Sequence, residues 1–356
     1  MRVAQRMISR NYMNTLNTSL SKRAESMERG TSGLKFKKLS DNVADGSRAM
    51  HIQEERYQAN QQLSNVEDLL DEMNSVDSNM DSIHSILQSI QEKTLEGMSD
   101  TYGPENRAVL AQEIAKKKEQ ILQFANAQFA GKYLFSGTGN STQPFTVNET
   151  TGKLQFNGVE VESIFKGDDG KFYSLTDPNG DPDDPDNWTK VPNSDEIFAD
   201  IGLGLKISGD MQADPRTAFQ VSFSGLEMLG FGEPVTGKNG TQVASNAYDL
   251  LTQIEQALTP EFSKAAMDDL HDQLVNLTDQ VGMSRTDLGT RMDYLDRTKD
   301  RLESDIDNMT KMESNLISSD PADEAIKMKE CEYVWMAVLQ LGSQILPSSL
   351  LEFIGY

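Results

Sequence analysis

The sequence predicts an α+β protein, an elongated helical rod built as a coiled-coil bundle of N- and C-terminal helices, with a β-rich insert in the middle. Three observations carry this. Long heptad-like apolar stripes occupy both ends of the chain, the period shortens to about two beyond Gly131, and Gly, Asn, Asp and Pro become dense in that same middle stretch. The order along the chain is helix, strand insert, helix.

The first element is a short amphipathic helix with Met13, Leu16, Leu20, Ala24 and Met27 at steps of three and four, stopped by Gly30-Thr31-Ser32-Gly33. A basic, irregular stretch from Lys35 to Asp41 follows. The long helix behind it continues to about Gly97, roughly 65–75 Å of rod at 1.5 Å per residue. Its seam runs from Ala59 through Leu63, Val66, Leu70, Met73, Val76, Met80, Ile83, Leu87 and Ile90, with one extra three-step at Met73 to Val76. Gly103-Pro104 breaks the helix, and Pro104 opens another that carries Leu110, Ile114, Ile121 and Ala125 on one face.

In the middle, Leu154 to Val161 alternates around Asn157-Gly158, which supplies the positive φ of a type I′ hairpin turn. Further alternation at Leu203, Leu205 and Ile207, and at Phe219, Val221 and Phe223, predicts half-buried strands. Helical spacing returns near Ala244. A second seam then reads Leu270, Leu274, Leu277, Val281, Leu288, Met292, Leu295, Leu302, Ile306, Met309 and Leu316, and the two seams most simply cover each other.

The last helix has its own start signal, with Asp320 to cap it, Pro321 in its first position and Asp323 to reach back to the cap. It carries Met328, Cys331, Trp335, Val338, Gly342 and Ile345 on one stripe and stops at Pro347. The cluster Leu350, Leu351, Phe353 and Ile354 lies too near the terminus for the chain's own neighbours to bury it, so another subunit is its natural cover. The expected assembly interface is therefore Met13, Leu16, Leu20, Met328, Trp335, Val338, Ile345 and this cluster.

Composition narrows the function. A formal net charge of −23 argues against nucleic acid as a partner. The single cysteine, Cys331, excludes an intramolecular disulfide framework. The polar opening, with Arg2, Arg6 and Arg10 spread along it, is no cleaved secretory signal. The longest apolar stretch, Val334 to Leu346, is about 13 residues, short of the ~20 that span a bilayer, so no membrane is implied.

No catalytic motif is present. His51, His84 and His271 are far apart, so neighbouring positions build no zinc site, and no GxSxG elbow, P-loop or dinucleotide fingerprint occurs. The acidic loop Asp177-Pro178-Asn179-Gly180-Asp181-Pro182-Asp183-Asp184-Pro185-Asp186 alternates carboxylates as a calcium loop does. Pro182, however, sits where such a loop requires Gly, and Trp188 sits where its bidentate Glu belongs. No metal, cofactor or enzymatic activity is expected; an extracellular calcium-binding interaction module is the alternative from another class.

The plan of terminal helices, paired long helices and a central β insert resembles the flagellin family. Met1-Arg2-Val3 with Asn11-Tyr12 and Leu16 is similar to the opening of its hook–filament junction members. Gly131-Lys132-Tyr133-Leu134-Phe135-Ser136-Gly137-Thr138 with Gln143-Pro144-Phe145 is similar to their helix-to-β segment, and Ser349-Leu350-Leu351-Glu352-Phe353-Ile354 to their close. Ser40-Asp41-Asn42-Val43-Ala44-Asp45 departs from the family's usual Asp-Asp-Pro, which leaves the start of the long helix open.

The resemblance implies a structural protein of the bacterial flagellum, forming a junction ring between hook and filament, with bulk filament flagellin as the nearest competing reading. It implies export to the flagellum, outside the cell, without a cleaved signal peptide. The implied partners are like subunits, a neighbouring hook-associated protein, filament flagellin and a flagellar export chaperone. Three parts are expected: 1–45 and 317–356 as an inner assembly domain, ordered only when neighbours cover it; 46–135 and 245–316 as the rod; and 136–244 as an outer β domain.

Overall fold

The computed structural model describes residues 2–139, 141–176, 187–195, 197–202, 219–259 and 262–345. The acidic loop 177–186, the strand expected around Leu203, Leu205 and Ile207, and the cluster Leu350, Leu351, Phe353 and Ile354 lie outside the described residues, as does the side chain of Ile345.

The chain divides into two compact units, Met1–Gln61 with Leu302–Tyr356, and Gln62–Arg301. The fold class is α+β, with long helices and small antiparallel sheets.

The terminal unit contains α1 (Arg2–Ser32), the start of α2 (Val43–Met98), the end of α6 (Lys264–Ile317) and α7 (Pro321–Ile345). Asn42 settles where α2 begins without the family's proline. Its Oδ1 accepts from the Asp45 N–H at 3.3 Å while its Nδ2 donates to the Asp45 carboxylate at 2.7 Å, a reciprocal cap. The α1–α2 connection is tied to the α6–α7 turn by a bridge between Leu34 and Ser318, with Lys35 N donating to Ile317 O at 2.7 Å and Ser319 N to Gly33 O at 2.8 Å. Asp320 caps α7 by accepting from the Ala322 N–H at 2.8 Å.

In the central unit, α2 and α6 run antiparallel. Lys299 meets Glu67 at 2.9 Å, Arg285 meets Asp77 at 2.8 Å, and Gln91 donates to the Thr278 hydroxyl at 2.7 Å, so rising numbers on one helix meet falling numbers on the other. The seam side chains Val66, Leu70, Met73, Leu274, Leu277, Val281, Leu295 and, at the unit boundary, Leu302 are buried, while Leu63 is half-buried. α3 (Pro104–Ala125) packs on α5 (Ala247–Ala257), where Lys118 reaches Glu255 at 3.0 Å and Thr252 at 3.1 Å, and it also meets α2, where Lys117 donates to the Ser89 hydroxyl at 2.6 Å. Asn246 caps α5 through the Asp249 N–H.

The segment that joins helix to β has a clear physical basis. β1 (Gln128–Phe129) and β2 (Lys132–Tyr133) form a tight hairpin, after which Leu134, Phe135 and Ser136 are buried. Gly137 follows at φ 67°, where an added Cβ would stand 2.3 Å from the Asn193 carbonyl oxygen, so only glycine fits without a shift. That same carbonyl accepts the Thr138 N–H at 3.0 Å.

β3 (Phe145–Val147), β4 (Leu154–Phe156) and β5 (Val159–Glu160) form one sheet, and the β4–β5 turn has Asn157 at φ 51° and Gly158 at φ 85°, the conformation expected from Asn-Gly. β6 (Ile164–Lys166), β7 (Phe172–Leu175) and β8 (Trp188–Lys190) form a second sheet. β9 (Phe198–Ala199) pairs with β10 (Phe219–Gln220). That last strand is shorter than the Phe219–Val221–Phe223 alternation predicts, because beyond the Val221 N–H, which donates to Ile197 O, the chain turns into α4 (Gly225–Leu229). The hairpin of β11 (Val235–Thr236) and β12 (Gln242–Val243) completes the β elements among the described residues.

Candidate assembly surface

The terminal unit is organised around an antiparallel pair, α1 against α7. An added Cβ on Gly342 would stand 1.9 Å from the Tyr12 Oη, so glycine here admits the tyrosine ring against the α7 backbone. At the other end of the pair, Arg29 lies close enough to Glu324 to help hold its carboxyl below the usual range, after the larger effect of the hydrogen bond from Lys327 at 2.9 Å. Tyr12 with Gly342 and Arg29 with Glu324 fix the antiparallel register.

The covered side chains of α1 recur at coiled-coil spacing, Ser9, Tyr12, Leu16, Ser19, Arg23, Ser26 and Arg29, and most of them are polar. On α7 the covered positions are Glu324, Cys331, Glu332, Trp335, Val338 and Gly342. Of the stripe expected on α7, Cys331, Trp335, Val338 and Gly342 thus face α1, while Met328 is exposed. On α1 only Leu16 of the expected interface is covered. Met13, 50% exposed, and Leu20, 40% exposed, point away from α7, as does Met27.

The result is a helix pair whose α1 side of the seam is mostly polar, set against Cys331, Trp335 and Val338 on α7, with many apolar side chains outside. The outward group on α1 includes Met7, Ile8, Met13, Leu20 and Met27, and on α7 Ile326, Tyr333, Val334, Met336, Leu339 and Leu341. Each such side chain gains about 1.5–3 kcal/mol only when something covers it. Ile8, Tyr12, Val338 and Leu341 border a groove of about 310 Å³ between the two helices. A surface of this kind supplies contact area.

Apolar spacing marks the outward face of α1, with Met13 and Leu20, and does not find the face that α7 covers. The signal that finds the covered face is the seven-residue recurrence of Tyr12, Ser19 and Ser26, which reads as a heptad once polar residues are admitted to the seam.

Elsewhere, His51, His84 and His271 stand on exposed, half-buried and half-buried positions of α2 and α6. Burial pushes the His271 imidazole down. Among the described residues no group of three or more His, Cys, Asp or Glu side chains is placed to hold a metal ion, and no helix is long and apolar enough to cross a membrane.

Residues 3–140 match the bacterial flagellin N-terminal helical region. No curated protein matches the chain by sequence. Among solved structures it is similar to a protein of Vibrio parahaemolyticus described as a flagellar hook-associated protein, with 18% identity and a TM-score of 0.56 over 78% of this chain and 100% of that one. FlgL of Bacillus cereus gives 14% identity and a TM-score of 0.47 over 74% and 98%, and the flagellar junction protein FlgL of Legionella pneumophila 14% and 0.43 over 70% and 99%. The Vibrio likeness establishes a shared fold, and residues 3–140 of this chain are similar to the bacterial flagellin N-terminal helical region.

Proposed function

We propose that this chain is a structural subunit of the bacterial flagellum, similar to hook-associated protein 3, that joins hook to filament. The observation that carries this is the α1–α7 pair, with its apolar side chains turned outward, in a chain whose first part is similar to the bacterial flagellin N-terminal helical region. Neighbouring subunits, bound head-to-tail, supply the missing cover and close a ring. Likeness in fold to the Vibrio hook-associated protein supports this assignment over bulk flagellin.

In this reading 1–45 and 317–356 form the inner assembly domain, 46–135 and 245–316 the long helices, and 136–244 an outer β domain. Like subunits, a second hook-associated protein and filament flagellin are the contacts, and an export chaperone escorts the chain to the flagellum, outside the cell. The work is mechanical and needs neither cofactor nor catalysis.

Immunogold electron microscopy of native flagella, with an antibody against residues 136–244, tests the assignment. Label confined to the hook–filament boundary supports it. Label along the whole filament makes the chain a flagellin instead, and an absence of label on any flagellum overturns both.

A further inference from the structure

The methionines divide sharply between the two units. Met73, Met80, Met228 and Met267 are buried in the central unit, whereas among the described residues every exposed methionine except Met283 belongs to the terminal unit. Five of the latter, Met7, Met13, Met27, Met328 and Met336, stand on α1 and α7, and Met13, Leu20 and Met27 follow one another at seven-residue steps along the outward face. The apolar surface offered to neighbours is therefore rich in thioethers that solvent can reach.

We propose that this surface is an oxidation-sensitive modification site, on which hydrogen peroxide acting on the methionines of α1 and α7 blocks assembly while leaving the fold intact. The inference rests on the assembly reading above. In the reaction the thioether sulfur gives an electron pair to one peroxide oxygen, the O–O bond breaks, an S–O bond forms, and the other oxygen leaves as water after proton transfer. Methionine is oxidised by two electrons and peroxide is reduced by two. A flexible apolar side chain becomes a polar sulfoxide, which must be desolvated before a neighbour can cover it.

The fold survives because the methionines that hold it are shielded from solvent. Once a subunit is in place its neighbours cover the same sulfurs, so oxidant acts on chains that have not yet assembled. Sulfoxide is reversible by methionine sulfoxide reductases and not by simple thiols, which separates this effect from any oxidation of the half-buried Cys331.

The test adds purified full chain to cells that lack it and counts cells that bear filaments. Chain treated with dilute peroxide is compared with untreated chain, and each again after incubation with the two reductases or with dithiothreitol. Mass spectrometry locates the sulfoxides, and circular dichroism follows helix content. Sulfoxide at Met13, Met27 and Met336 ahead of Met73, Met80, Met228 and Met267, unchanged helix content, a drop of about tenfold in filamented cells, and recovery with the reductases alone are the expected results.

Filament formation equal before and after oxidation overturns the inference, as does oxidation of the buried methionines in step with the exposed ones, or recovery with dithiothreitol. A chain with Met7, Met13, Met27, Met328 and Met336 replaced by Leu should lose the peroxide dependence, whatever its untreated level; a retained dependence overturns the inference too. Failure of untreated wild-type chain to restore any filaments overturns the junction assignment instead.

Discussion

Leu274→Ala isolates the packing of the long-helix seam. The side chain is fully buried, while the backbone carbonyl of the same residue accepts from the Thr278 hydroxyl at 2.7 Å and from Gln91 Nε2 at 3.4 Å, bonds that the substitution leaves in place. Removing three carbons forfeits about 2.4 kcal/mol at ~0.8 kcal/mol each, and the cavity left between α6 and α2 adds on the order of 1 kcal/mol. Alanine's better helix propensity returns only a few tenths. The net loss is about 3 kcal/mol, or a fall of roughly 6–12 °C in Tm for a unit of this size.

The two tryptophans make the assay specific, since Trp188 lies in the central unit and Trp335 in the terminal one. In a Trp335→Phe background, fluorescence follows the central unit alone. Leu95→Ala, at an exposed position of α2 in that unit, is the control and should cost less than about 0.5 kcal/mol. Equal shifts for the two variants would falsify the seam as the core of this unit.

Three further outcomes are expected. Asp269 accepts from the Asn239 N–H at 3.0 Å and from the Thr241 N–H at 3.3 Å, so Asp269→Asn should weaken the β11–β12 hairpin by about 1.5–3 kcal/mol, seen as faster amide exchange there. Burial alone would raise this carboxyl, but those donors hold it below its usual range; its contribution is present above the ordinary carboxylate pKa, is lost as pH falls through the folded value, and should vanish from the acid limb of a stability profile in the variant. Arg285 clamps Asp77 and Asp81 while partly exposed, so Arg285→Leu should change stability by no more than about 1 kcal/mol, and by less at high salt, as denaturant titrations at two ionic strengths would read. Gly342→Leu should separate α7 from α1, because the Tyr12 ring occupies the space a side chain would need; Trp335 fluorescence unchanged in wavelength and intensity would argue against that packing.

Legibility in the sequence followed the physics of each element. The α2 and α6 seams could be read because apolar residues at three- and four-residue steps have one cheap solution, a partner stripe, and the β4–β5 turn could be read because Asn157-Gly158 favours one turn type. The pairing of α3 with α5 was harder, since it depends on tertiary matches such as Lys118 with Glu255 that leave no local signature. On α1 the apolar steps mark the outward face, and the face that α7 covers is written in polar residues such as Ser19 and Ser26, which apolar spacing passes over. Within this subunit the usual order of apolar inside and polar outside is inverted on that helix.

That inversion has an energetic corollary in the seam of the terminal pair. The hydroxyls of Ser19 and Ser26 are buried between α1 and α7 with no hydrogen-bond partner among the described residues, an arrangement that costs rather than contributes. Ser19→Ala and Ser26→Ala should therefore each stabilise the pair, by about 1 kcal/mol from removing the unpaired hydroxyl and a few tenths more from helix propensity. Hydrogen exchange on the free chain reads this directly. In wild type the amides of α1 and α7 should exchange faster than those of the central parts of α2 and α6, because a polar seam opens at low cost. In the double variant the α1 and α7 amides should slow by about a hundredfold, the equivalent of roughly 2.7 kcal/mol. Faster exchange in the variant would mean that the hydroxyls make bonds the wild-type pair depends on. The expected slowing would mean that the free subunit holds its terminal helices together loosely, which leaves the outward apolar side chains, and the neighbours that cover them, as the main source of order in this unit.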